Sequence, residues 1–252
     1  MIAGRRLLAC AVMALTLSMA AGAADAREIA ADLSSHEIEI TAGFDGAELL
    51  LFGHAASQAE VLVIVRGPDA PVAVRRKERV AGIWINGKEV SFDKAPGFYF
   101  VGVTEGLRSE GELEAILQST GLGARFLDLE STTPDTDGAT VKAFRDALVE
   151  LRIRQSLYSA EPGRIAMRKD GLFRTTVPFP DGTPVGEYTV SVYHVIDGWP
   201  TATASTPLKV RKAGFSAFVY QIAHTEPVLY GLIAILVALG AGWFAGWAFK
   251  RS

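Results

Sequence analysis

Residues 228–249, VLYGLIAILVALGAGWFAGWAF, are a run of 22 without a charged side chain. At about 1.5 Å of rise per residue, a helix of that length crosses the roughly 30 Å hydrocarbon core of a bilayer. The run is therefore read as a transmembrane helix and taken out of any soluble core. Lys250, Arg251 and Ser252 follow it, and basic flanks stay on the cytoplasmic side, so 250–252 is a cytoplasmic tail. Tyr230, Trp243 and Trp247 suit the two interfaces. Ala238, Gly242 and Gly246, spaced by four, give one helix face small enough for another helix to approach. Pairing with a second copy or with a multispan protein stands beside simple anchoring.

The N-terminus supplies the matching half. Arg5 and Arg6 precede the apolar stretch Leu7 to Ala21, and small residues run from Ala21 to Ala26. That is the pattern of a secretory signal peptide, 1–26, with cleavage after Ala26 or Ala23; an uncleaved signal anchor is the alternative. Cys10 is the only cysteine. A lipoprotein site there would leave almost no apolar core ahead of it, so the mature chain has no disulfide or thiolate ligand. Both ends agree on a single-pass membrane protein with its main domain outside and its C-terminus inside.

Between the ends, 27–227 holds 21 basic and 27 acidic residues, a net of −6 that gives no nucleic-acid footprint. The first half alternates with period two in short runs: 36–40, 48–52 and 61–65. Gly67-Pro68-Asp69 reads as a turn. Asn86-Gly87 is read as the hairpin turn joining 82–85 to 88–92, and Pro96-Gly97 precedes a strand over 98–103.

The middle changes period. Ser109-x-x-Glu112 is a capping box ahead of Leu113, Ile116 and Leu117. A second helix is predicted over 139–157, with Val141, Phe144, Leu148 and Leu151 on its apolar stripe. Strands resume at 163–168, 172–179, 186–196 and 203–211, and Tyr188 follows a Pro-Val-Gly turn as corner tyrosines do in immunoglobulin-like folds. The expected fold is mainly β: an immunoglobulin-like β-sandwich over 27–212 with a helical insertion about 109–157. A β-barrel or two small β domains is the runner-up. Phe215, Phe218, Val219 and Ile222 make 213–227 an amphipathic connector, lying on the membrane or packed under the domain.

Local catalytic signatures fail in sequence. Gly214-Phe215-Ser216-Ala217-Phe218 lacks the last glycine of a nucleophile elbow, and Gly121-Leu122-Gly123 lacks the third glycine of a dinucleotide loop. The four histidines are not paired, so no metal and no cofactor is expected. Asp135, Asp137, Glu110 and Glu112 are explained by capping and solvation. In 72–80 a strand would place Arg75, Lys77 and Arg79 on one face, with Arg66 across a hairpin. That patch could bind an anion, a lipid headgroup or an acidic partner; a solvated or protective edge is the plainer reading. Core packing accounts for most of Trp84, Phe92, Phe98, Tyr99, Phe100, Tyr188, Tyr193 and Trp199, with one face of 98–100 a candidate partner surface.

Leu51-Phe52-Gly53, Val65-Arg66-Gly67-Pro68, the block from Val74 to Asn86, Pro96-Gly97-Phe98-Tyr99 and the glycine-rich span ending Phe249-Lys250-Arg251 together resemble the alphaproteobacterial putative transmembrane protein family. The resemblance covers essentially the whole mature chain. It implies an exported domain on one C-terminal helix, carries no established activity, and suggests an accessory role beside sulfite-exporter-type permeases. The expectation is a non-enzymatic binding or accessory protein. An envelope enzyme acting on an anionic substrate at the basic strand, with Asp69 or Glu78 nearby, and a purely structural envelope protein are the other readings.

Overall fold

The computed structural model describes residues 29–55, 60–196, 198–214, 219–220 and 223–249. The signal-peptide segment, the connector residues Phe215, Phe218 and Ile222, and the tail 250–252 lie outside the described residues. The fold is mainly β with a helical insertion and one C-terminal apolar helix.

Nine strands form one curled sheet in the order β1 (Ala30–Leu33), β3 (Ala47–His54), β9 (Leu172–Phe179), β8 (Gly163–Met167), β7 (Tyr99–Thr104), β4 (Glu60–Arg66), β10 (Gly186–Ile196), β11 (Trp199–Lys212) and β2 (Glu37–Ile40). The two halves meet at a short parallel pairing of Gly102–Thr104 with Gly163–Ile165. They also face one another: β1 returns against β11, and Phe179 of one half stacks on Phe98 beside the other at 4.8 Å. Strands with one covered face alternate, as β9 does with Phe173, Thr175, Val177 and Phe179 buried. Each such apolar side chain removed from water contributes roughly 1.5–3 kcal/mol.

β4 and β7 are buried on both faces. Val63 and Val65 lie opposite Val192 and Val190 and share their inner face, because directly paired residues point the same way. Leu62, Ile64, Tyr99, Val101 and Val103 then look outward, yet all are 5% exposed or less. The cover comes from the segment linking β7 to β8, which holds α1 (Glu110–Thr120) and α2 (Gly138–Arg154). The Tyr99 hydroxyl donates to the Leu122 carbonyl at 2.6 Å. The face of 98–100 expected to be open to a partner is thus closed from outside.

Both helices start where polar caps place them. Asp137 precedes α2, and its carboxylate accepts from the Thr140 N–H at 2.8 Å. That hydrogen bond and the Thr140 hydroxyl hold its carboxyl below its ordinary pKa. Ser109 caps α1, but its hydroxyl contacts Glu112 at 3.2 Å instead of a backbone N–H. On α2 the buried stripe is Phe144, Leu148 and Val149. Leu151, expected on it, is 41% exposed, because the helix turns a face one position round from the assumed one to the core.

The largest departure from expectation lies between β4 and β7. Gly67-Pro68-Asp69 makes no reversal: β4 continues into β5 (Asp69–Val80), and β6 (Ile83–Pro96) continues into β7. Hydrogen bonds from Gly67 N–H to the Phe98 carbonyl and from Gly97 N–H to the Pro68 carbonyl, both 2.8 Å, carry the ladder through the junction. The result is one unbroken antiparallel ribbon, half within the sheet and half leaving it. Its turn is Ala81-Gly82, both with positive φ, between the paired residues Val80 and Ile83. Asn86-Gly87, expected as the turn, lies at a register shift inside β6. A Cβ on Gly87 would displace the exposed Glu78 side chain, whose far end lies over it.

Candidate functional site

The ribbon that leaves the sheet is the candidate site. Its neck is clamped by aromatic packing. Tyr188, 1% exposed, donates its hydroxyl to the Pro184 carbonyl at 2.6 Å, the corner expected of it. Its ring contacts Phe98 and Phe179, with centroids 5.8 Å away in each case. A Cβ on Gly67 would lie 3.0 Å from that ring, and one on Gly186 would meet Pro68 at 2.9 Å. Tyr158 closes the other side by donating to the Pro96 carbonyl at 2.6 Å. Burial pushes the Tyr158 phenol up to about 12 and raises Tyr99 and Tyr188 as well.

Beyond the neck the two faces of the ribbon diverge. Val72 and Val74 share one face with their partners Phe92 and Val90, and this face packs on the helical insertion. Thr132 N–H donates to the Ser91 carbonyl at 2.9 Å, and Ser91 N–H to the Thr133 hydroxyl at 2.8 Å, so the loop after α1 binds the edge of β6. Arg76 continues that face and sits over the Phe144 ring.

The opposite face carries Arg75, Lys77 and Arg79 in line, as the period of two predicts. Arg75 is paired with Glu89. Lys77 donates to the Asn86 side-chain oxygen at 2.7 Å, and Arg79 reaches the Gly82 carbonyl at 3.4 Å. These last two acceptors are neutral, so neither contact is an ion pair. Arg66 is not brought to this row: it lies at the sheet end, bound to Asp69 at 2.7 Å. Residues 75–89 hold five basic and two acidic side chains.

The end of the ribbon is apolar. Ile83 is 69% exposed, Trp84 64% and Val80 53%, and Ile85 is exposed too. Trp84 lies directly opposite Arg79 and so shares the cationic face. Trp84 and Trp199 were expected in the core; both are exposed, because neither has a second layer above it. The signal that could have marked Trp84 is its place two residues beyond a Gly at the turn.

The cations, the tip and the C-terminal apolar helix leave from one end of the sheet. Arg66 pairs with Thr189, near the start of β10, and Gly186 pairs with Val210, near the end of β11. Lys212 and Ala213 follow there, beside an open groove of about 850 Å³ lined by Ile40, Val185, Val210 and Tyr220. The helix itself, α3 (Pro227–Phe249), has mean hydropathy 2.2 over its apolar window and no buried share. Gly242 and Gly246 have nothing packed over them, and Ala238 lies one turn earlier on the same face.

Other polar groups stay dispersed. His36 contacts Asp32 at 3.0 Å, His54 the Asp170 carbonyl at 3.0 Å and His224 the Tyr220 carbonyl at 2.9 Å. Among the described residues no three His, Cys, Asp or Glu side chains converge as a metal centre would require.

No curated protein matches the sequence. Among solved structures, the N-terminal domain of the Streptococcus gordonii adhesin Sgo0707 is similar over 75% of this chain, with 10% identity and a TM-score of 0.26. The chain spans 33% of that protein's length, and so slight a likeness carries no argument. The sequence blocks of the ribbon, its neck and the C-terminal helix fall within one family model described as "Putative transmembrane protein" (Alph_Pro_TM), which matches residues 28–251; the chain belongs to that family.

Proposed function

We propose that this is a non-enzymatic binding or accessory protein, held at a bacterial inner membrane by α3, with its β domain in the periplasm and residues 250–252 in the cytoplasm. The observation that carries the reading is the ribbon: a long two-stranded arm ending in exposed apolar side chains that nothing else in the described chain covers. An enzyme needs a pocket in which titratable groups converge; a projecting arm has instead the form of a contact element. The signal-peptide pattern and the basic residues after the span support the orientation.

The partner in this reading is a multispan membrane protein, an anion or sulfite exporter being the class the family resemblance suggests. It would seat on the Ala238, Gly242 and Gly246 face, where small side chains let helices approach closely. The test is purification in mild detergent of the full chain and of a form with 228–249 replaced by polyleucine, with co-purifying proteins identified by mass spectrometry. A multispan protein recovered with the first and lost with the second is expected. Recovery of no membrane protein with either form would overturn the accessory reading.

A further inference from the structure

We propose that the ribbon tip is a second membrane contact: Val80, Ile83, Trp84 and Ile85 enter the interface of an anionic lipid bilayer, while Arg75, Lys77 and Arg79 meet its headgroups. The proposal rests on the membrane-anchored reading above and adds the ligand of the ribbon. Three observations converge on lipid as the occupant.

The first is placement. The ribbon leaves the same end of the sheet as β11, the strand that leads to the span. The second is the order of side chains along the arm. Val80 and Ile83 stand at the turn, Arg79 and Trp84 stand next and opposite each other, Glu78 and Ile85 follow, and Lys77 beside neutral Asn86 and then the Arg75–Glu89 pair stand behind them. A bilayer presents its layers in the complementary order, apolar within and charged at the surface, and indole rings favour the boundary. The third is charge. Residues 75–89 have a net of +3 within a 27–227 segment of net −6, so an anionic surface attracts the arm and repels the rest of the domain.

The experiment uses the full chain in nanodiscs, in a Cys10→Ser background, with an environment-sensitive fluorophore on Ile83→Cys and, as a control, on Glu114→Cys in α1. The discs are either phosphatidylcholine alone or phosphatidylcholine with phosphatidylglycerol. Lipid-tethered nitroxides should quench the Ile83→Cys label, and aqueous iodide should fail to, in the anionic discs; the α1 label should show the reverse. Arg75→Gln, Lys77→Gln and Arg79→Gln should each weaken the docking by roughly fivefold, the worth of about 1 kcal/mol per cation near an anionic surface. Trp84→Ser, at an exposed position, should weaken it without altering the circular dichroism spectrum.

A tip label open to iodide in both discs would overturn the proposal. So would shielding that requires two copies per disc, which would make the occupant a second ribbon, and so would shielding indifferent to phosphatidylglycerol. None of these results touches the accessory reading, whose own test follows proteins that co-purify through the span.

Discussion

The guanidinium of Arg76 lies 5.2 Å from the centre of the Phe144 ring. This contact, the loop over Ser91 and the packed face of Val72, Val74, Val90 and Phe92 join the ribbon to the helical insertion. Arg76→Ala is expected to cost about 0.5–1 kcal/mol, the worth of an exposed cation–π pair. Phe144→Ala should cost about 3–5 kcal/mol, because a buried ring is lost from the core. Thermal unfolding separates the two. Hydrogen exchange in Arg76→Ala should quicken at ribbon amides and leave β10 unchanged.

At the neck, Gly67→Ala places a Cβ 2.9 Å from Phe98 and 3.0 Å from the Tyr188 ring. Both neighbours are fixed by stacking, so overpacking is expected to cost about 1–3 kcal/mol. A denaturant midpoint unchanged from the parent chain would show that the neck gives way freely.

How much of this was legible in the sequence depends on what covers each strand. Period two marks 36–40 because one face of it meets the core. It also placed Arg75, Lys77 and Arg79 together, since nothing lies over that side of β5. Tyr99 was misjudged because its cover, the segment near Leu122, comes from beyond the strand. Gly67-Pro68-Asp69 and Asn86-Gly87 carry turn residues, though the same residue types here serve a crowded neck and a register shift. With the turn misplaced by five residues, Trp84 fell in a supposed strand interior instead of at a tip. Arg66 was misassigned for the same reason: its distance from the cation row depends on the ribbon's length.

The turn itself holds a removable strain. Ala81 has φ of 49°, a left-handed conformation that costs a residue with a Cβ roughly 1 kcal/mol. Ala81→Gly is expected to slow hydrogen exchange at the end of the ribbon, whereas Gly82→Val, at φ of 87°, should speed it. Equal exchange in the two variants would place the turn elsewhere.

The buried tyrosines set an alkaline limit. Burial raises the phenols of Tyr99, Tyr158 and Tyr188, Tyr158 to about 12. The native state therefore holds these protons more tightly than the unfolded chain, in which tyrosine titrates near about 10. Their contribution is complete below about pH 10 and is lost as pH rises through the folded values. A tyrosinate absorbance titration should show these three of the six tyrosines ionising only as the fold is lost; six ionising together on an intact fold would refute it. Tyr188→Phe should cost about 1 kcal/mol for the hydroxyl bond to Pro184.

The pairing of β2 with β11 also sets the order in which the molecule can be completed. Residues 37–40 pair in parallel with 209–212, and Ala213 N–H donates to the Ile40 carbonyl. A growing chain makes its first strands early and must hold them without their final neighbour while the long β4–β7 ribbon, rich in local contacts, pairs up ahead of them. The sheet edge closes only when the residues just before the connector have been synthesised. Closure of the sheet and synthesis of the C-terminal apolar helix thus come last together, and a chain truncated before β11 would lose both that helix and the closure of its sheet.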